Sequence, residues 1–155
     1  MLAQCWLHIG VEKTGTTSIQ SFLAGNRSAL RAAGRLYPVT PGPVSHQGLV
    51  AFALDDDRVD GTRKSRGLVT AQEIADFRDE FVSGLLKEIP ASGASEIILS
   101  SELLSSRVRS PAELARVQVL CAGIARNTKV VVYLLVGVML YLAGNLIIHL
   151  AKGAM

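Results

Sequence analysis

The sequence predicts an α/β domain, a parallel sheet with helices on both faces. Three observations predict it. Short apolar runs of strand length recur at Ala3 to Ile9, Glu96 to Ser100 and Lys129 to Leu134. Longer amphipathic stretches with clear start signals separate them. Strands that alternate with amphipathic helices pair in parallel, because each helix carries the chain back to the same end of the sheet.

The elements follow in order. Ala3 to Ile9 ends in Gly10 and has the length of a buried parallel strand. Val11 to Thr16 is a loop of small and hydroxylated residues, and a helix begins near Thr16 or Thr17 with Ile19, Phe22 and Leu23 on its inner face. Asn26 is placed to cap a second short helix through Leu30, which Gly34 stops. Residues 38–69 are rich in breakers. Pro38, Pro41, Gly42 and Pro43 make a rigid turn region, His46 to Leu54 forms a short helix, and Asp55 to Gly67 is a charged, exposed loop.

Two helices then announce themselves. Thr70 with Glu73 forms a capping box, and Ile74, Phe77, Phe81, Leu85 and Ile89 line one face until Pro90 ends the helix. Ser110, Pro111 and Glu113 supply an N-cap, a first-turn proline and a box glutamate, with Leu114, Val117, Cys121 and Ile124 facing inward. The β-branched Val130, Val131 and Val132 suit the last strand.

Composition narrows the function classes. The 155 residues are 49% hydrophobic and 19% charged, which suits one globular domain and excludes disorder. Net charge is +3 with the two signs interleaved, so no basic stripe for nucleic acid exists, and the mild excess suits a small anion. Cys5 and Cys121 lie inside apolar runs without metal-ligand spacing, which predicts buried free thiols, no zinc site and a reducing compartment. The N-terminus has no basic region or cleavage site of a signal peptide, so the cytoplasm is the expected location.

The chemistry concentrates in His8-Ile9-Gly10-Val11-Glu12-Lys13-Thr14-Gly15-Thr16-Thr17-Ser18-Ile19-Gln20. A strand delivers the chain to a glycine turn and a helix leaves it, so unpaired N–H groups and the positive end of the helix dipole face one point. Gly10 and Gly15 allow close backbone approach. Lys13 adds a full charge, and Thr14, Thr16, Thr17 and Ser18 add hydroxyl donors. The spacing is not that of a Walker A loop, whose lysine follows its second glycine; here Lys13 precedes Gly15. A magnesium-dependent nucleotidase is therefore disfavoured, and no metal is expected.

The order Gly-x-x-Lys-Thr-Gly-Thr-Thr-Ser resembles the 5′-phosphosulfate loop of the sulfotransferases that use 3′-phosphoadenosine 5′-phosphosulfate, above all bacterial members reading His-Ile-Gly-x-x-Lys-Thr-Gly-Thr-Thr-Ser-Ile-Gln. Weaker likeness continues through Tyr37-Pro38, His46, Ser100-Ser101-Glu102 and the Val130 to Leu134 strand. The resemblance implies a P-loop-like α/β fold and transfer of a sulfuryl group to a hydroxyl or amine of a small molecule or glycan. It implies that Lys13 contacts the oxygen bridging sulfate and phosphate. A general base must take the acceptor's proton, and His46 and Glu102 are the two candidates. The wider family uses either residue type, so the resemblance leaves the choice open. Arg107 and Arg109 are within reach of an anionic acceptor or the 3′-phosphate, against the plainer reading of a solvated loop.

The back half departs from that pattern. Family members follow this strand with an arginine and then a helix-borne serine, both holding the 3′-phosphate; Leu135 stands where the arginine is expected. The resemblance thus covers roughly residues 5–134, which makes 1–134 the N-terminal part of such a domain, incomplete relative to the family, and leaves 135–155 as a divergent apolar, helical tail. Val130 to Ala151 contains no Asp, Glu, Lys or Arg. That stretch is long enough to span a bilayer, which keeps a small membrane-anchored protein as an alternative. Strand followed by helix is the favoured reading, because Asn145, His149, Gly137 and Gly144 interrupt a lipid-facing helix. A further alternative is a non-catalytic anion-binding remnant, and the uncovered tail predicts self-association.

Overall fold

The structure is a computed structural model that describes residues 1–10 and 15–133. It is an α/β fold built on one four-stranded, all-parallel sheet. In chain order the elements are β1 (Leu2–Gly10), α1 (Thr16–Gly25), α2 (Arg27–Ala32), β2 (Arg35–Leu36), α3 (Gly48–Ala53), α4 (Gly61–Lys64), α5 (Ala71–Ser92), β3 (Glu96–Ser100), α6 (Leu103–Arg107), α7 (Pro111–Ile124) and β4 (Ala125–Tyr133). The three strands expected from the sequence lie side by side, and the spatial order is β2-β3-β1-β4. Leu7 pairs with Leu99 on one side and Val130 on the other.

Strand order decides which helix covers which face. From β1 the chain moves through α1 and α2 past β3 to β2; from β3 it moves the opposite way, through α6 and α7, past β1 to β4. Right-handed connections in opposite directions must run over opposite faces. Cys5, Leu7, Ile97 and Leu99 accordingly pack in one core with Leu49 and Phe52 of α3, Phe81 and Leu85 of α5, and Val117, Leu120 and Cys121 of α7. Trp6, His8 and Ile98 point to the other face, where Ile19 and Leu23 of α1 meet them around an apolar groove of about 370 Å³.

Both capping boxes form. Thr70 Oγ accepts the Glu73 N–H at 3.2 Å and Ser110 Oγ the Glu113 N–H at 3.1 Å, each glutamate reaching back to its cap N–H. A cap of this kind is worth about 1 kcal/mol. Glu113 does more than cap. It is fully buried; burial alone would raise its carboxyl, but the Arg109 and Asp55 N–H groups and the Arg58 guanidinium hold it below the usual range.

Several local expectations change in the folded chain. Pro90 does not end α5; the helix runs to Ser92 and stops at Gly93, whose φ of 69° sets a left-handed cap. Asn26 stands at the N-cap of α2, but its side chain turns back to donate to Phe22 O at 2.7 Å and closes the end of α1 instead. Phe22 is 65% exposed, because the inner stripe of α1 runs through Thr16 and Gln20, with Ile19 and Leu23 half-buried beside it. Leu114 is 51% exposed on the rim of a groove between α7 and β4, and Leu120 takes an inner place.

The segment from Asp55 to Gly67 is an exposed loop only in part. It contains α4, and Arg63 is wholly buried, donating to the carbonyls of Ala51, Leu54, Asp55 and Arg58 at 2.6–3.0 Å. Chain without a ladder partner still has carbonyls to satisfy, and one guanidinium with five donors satisfies four of them. Among the described residues no helix is long and apolar enough to cross a membrane. Val130 to Tyr133, where the alternative membrane span would begin, belong to the expected strand, β4, and pair with Leu7 to Gly10. The proposed tail, 135–155, lies outside the described residues.

Candidate functional site

Neighbouring strands β1 and β3 send their connections in opposite directions, so their carboxyl ends form a topological switch point. The two outgoing chains diverge there and leave a crevice, the usual ligand position of an open parallel sheet. The Gly10 end of β1 forms one side and Ser100, Ser101 and Glu102 the other. The sequence-identified loop thus opens where a doubly wound sheet makes room for a ligand.

Gly15 is the N-cap of α1 with φ 88°, a left-handed conformation that a side chain would strain. Among the described residues no side chain caps this helix, and its first turn holds no acidic residue. Both features suit an anion at the helix start. Thr17, Ser18 and Gly15 are exposed there. Lys13 and Thr14, the other two loop candidates, lie outside the described residues.

Thr16 behaves differently from its neighbours. It is 1% exposed, and its hydroxyl donates to the Glu102 carboxylate across the crevice. Its methyl group also occupies the space that a Cβ on Gly10 would need, and that Cβ would lie 3.7 Å from Cβ of Glu102. Gly10 is therefore required by close packing of β1, α1 and α6 before any ligand arrives. The Ser105 hydroxyl adds a bond to Gly10 O at 2.6 Å. Glu102 sits at the N-cap of α6, yet its side chain makes no cap bond and turns to Thr16.

The two base candidates have unlike surroundings. Nδ1 of His46 accepts the Ser100 N–H at 3.0 Å, and Nε2 donates to Pro38 O at 3.1 Å, which fixes the neutral tautomer. The ring is fully buried and stacks on Tyr37 with centroids 4.3 Å apart. Burial pushes its pKa down to about 3, against the opposing pull of Pro38 O. His46 has both nitrogens committed to backbone, while Glu102 is half-buried at the crevice itself. The two arginines also part company: Arg109 is exposed and gives its N–H to Glu113, whereas Arg107 is half-buried and its carbonyl accepts from Arg58.

The sequence reading did not single out His8. Its Nδ1 lies 2.7 Å from the Ser100 hydroxyl, and its carbonyl accepts the Ser101 N–H at 3.0 Å. Burial lowers the pKa of the ring, and the charge on Glu102 raises it. Nε2 of His8, Nε2 of Gln20 and the Ser101 hydroxyl are buried without a partner among the described residues. A histidine two residues before the end of an apolar strand was the visible signal, since a buried strand seldom carries an imidazole without a use for it. Among the described residues no cluster of histidine, cysteine and carboxylates could hold a metal ion. The chain matches no family model, no curated protein and no solved structure.

Proposed function

We propose that this chain binds the 5′-phosphosulfate of 3′-phosphoadenosine 5′-phosphosulfate at the start of α1 and is built for sulfuryl transfer to a hydroxyl or amine of a small molecule or glycan. The observation that carries the reading is where Gly10 and Thr16, the two described ends of the connection, come to lie. Gly10 ends β1 at the switch point of the sheet, and Thr16 starts a helix with no side-chain cap among the described residues and the Glu102 carboxylate opposite. In such a transfer the acceptor oxygen bonds to sulfur as the bond from sulfur to the bridging phosphate oxygen breaks. Lys13 offsets charge on the departing adenosine 3′,5′-bisphosphate, and Glu102 takes the acceptor's proton. Positioning and electrostatics supply most of such a rate enhancement.

Glu102 is favoured over His46 because a base needs an available lone pair within reach of the substrate. Both ring nitrogens of His46 are already used. The competing reading, an anion-binding chain without turnover, draws on Leu135 in place of the expected arginine. Calorimetric titration with adenosine 3′,5′-bisphosphate tests the reading. Binding to the wild-type chain, weakened by about 1.5–3 kcal/mol in Lys13→Ala, is the expected result for loss of a charged contact. Equal affinities in the two proteins would make the loop structural only.

A further inference from the structure

We infer that Cys5 and Cys121 are a redox pair, which a peroxide converts into an intramolecular disulfide joining β1 to α7. The two cysteines are 116 residues apart in sequence, yet the fold sets their sulfurs 4.0 Å apart in the core. Cys5 is wholly buried on the α7 side of β1, Cys121 is 2% exposed, and both are free thiols. A disulfide has its sulfurs about 2.05 Å apart, so closure needs a combined approach of about 2 Å. Side-chain rotation and a small shift of α7 are the available movements, and the groove beside that helix leaves room for the shift.

The pair is polarised. The Cys5 thiol donates toward Cys121 Sγ, which holds the Cys121 thiol below its ordinary range, while the donor role and burial push Cys5 well above it. The thiolate is the nucleophile in sulfur oxidation, and the thiol that lines the groove meets an oxidant first, so Cys121 is the attacking sulfur and Cys5 the resolving one. Access follows the same order. Cys121 lines the wall of the groove between α7 and β4, about 560 Å³ in volume, together with Leu7, Val117 and Ala122. Leu114 and Val130 on its rim are more than half exposed, so a small uncharged oxidant can reach Cys121 without crossing the core.

The chemistry balances with one peroxide. Cys121 sulfur attacks a peroxide oxygen, the O–O bond breaks, and a sulfenic acid and one water result. Cys5 sulfur then attacks the sulfenic sulfur, the S–S bond forms and a second water leaves. Two thiols are oxidised by two electrons in all, and the peroxide is reduced by two. The product would tie the middle of β1 to α7, on the side of the sheet away from α1.

Hydrogen peroxide added to the folded full-length chain tests the inference. Free thiols should fall from two to none, the intact mass should drop by two hydrogens, and dithiothreitol should reverse both changes. A non-reducing peptide map should show one cross-link, between the Cys5 and Cys121 peptides, in a chain that still migrates as a monomer. Cys5→Ser should leave a sulfenic acid at Cys121 that dimedone traps, whereas Cys121→Ser should leave Cys5 unreacted over the same interval. If either variant fails to fold, the wild-type map still decides. Thiols that persist in the folded chain, a cross-link between two chains, or separate over-oxidation of both sulfurs would each overturn it.

Discussion

The imidazole of His46 accepts the Ser100 N–H through Nδ1, and the His46 N–H donates in return to Ser100 O at 2.9 Å. This reciprocal pair ties His46, two positions before α3, to the last residue of β3, itself two positions before Glu102. The ring thereby helps to set the end of the strand from which the candidate base projects. With both ring nitrogens bonded to backbone, His46 suits a positioning role in the proposed site.

His46→Ala should therefore act on stability first. It leaves a buried N–H and a buried carbonyl without partners and opens a hole beside Tyr37, for a loss of about 2–4 kcal/mol. Urea unfolding followed by circular dichroism measures this. A variant as stable as the wild type with no transferase activity would instead make the ring a catalytic group.

Acid should weaken the fold through the same residue. The folded pKa of about 3 lies below the ordinary histidine value, so between those limits the unfolded chain binds the extra proton. Stability from His46 is then fully present above about pH 6.5 and is lost as pH falls toward 3, at up to about 1.4 kcal/mol per pH unit. His8, also lowered by burial, acts with the same sign. Unfolding free energies from pH 7 to pH 4 should show this slope, and His46→Gln should reduce it.

Glu102→Gln should keep the shape of the crevice while removing the proton acceptor. If transfer activity is present in the wild type, the turnover rate should fall by about 10²–10⁴, the usual span for a general base, with affinity for adenosine 3′,5′-bisphosphate little changed. Equal losses of binding and turnover would assign Glu102 to holding Thr16 alone.

Gly10→Ala should be more harmful than a glycine-to-alanine change in open chain. The new methyl group would meet the Thr16 side chain, which is buried and already bonded to Glu102. Overpacking of this kind costs about 1–3 kcal/mol. Displacement of the α1 start should also lower bisphosphate affinity in the calorimeter. Gly25→Ala, with open space around its Cβ, is the matched control and should do neither.

Donor discrimination should be weak. Leu135 cannot hold the 3′-phosphate as an arginine would, and one lost charged contact lowers affinity by about 1.5–3 kcal/mol, roughly ten- to a hundredfold. The chain should bind 3′-phosphoadenosine 5′-phosphosulfate little better than its 3′-dephosphorylated analogue and show poor transfer of radiolabelled sulfate to phenols, alcohols and glycans. Robust turnover with clear 3′-phosphate preference would refute this.

The features legible in the sequence are local in range. The three long strands follow from apolar runs, and α5 and α7 from Thr70/Glu73 and Ser110/Glu113, because a capping box closes within four residues. The end of β1 at Gly10 and the start of α1 at Thr16 were legible for the same reason. β2, two residues long, and the short α6 carried no periodicity to read. Tertiary structure alone decided the rest, since it decided partners far apart in the chain. It brought Thr16 to Glu102 across 86 positions, Ser100 to His46 across 54, and Cys5 to Cys121 across 116. It exposed Phe22 and Leu114 and buried Arg63 against the same local patterning. The physical reason is that strand order, and not propensity, sets which side chains share a crevice or a core. In this chain the two switch-point strands, β1 and β3, are separated by 85 residues, β2 among them.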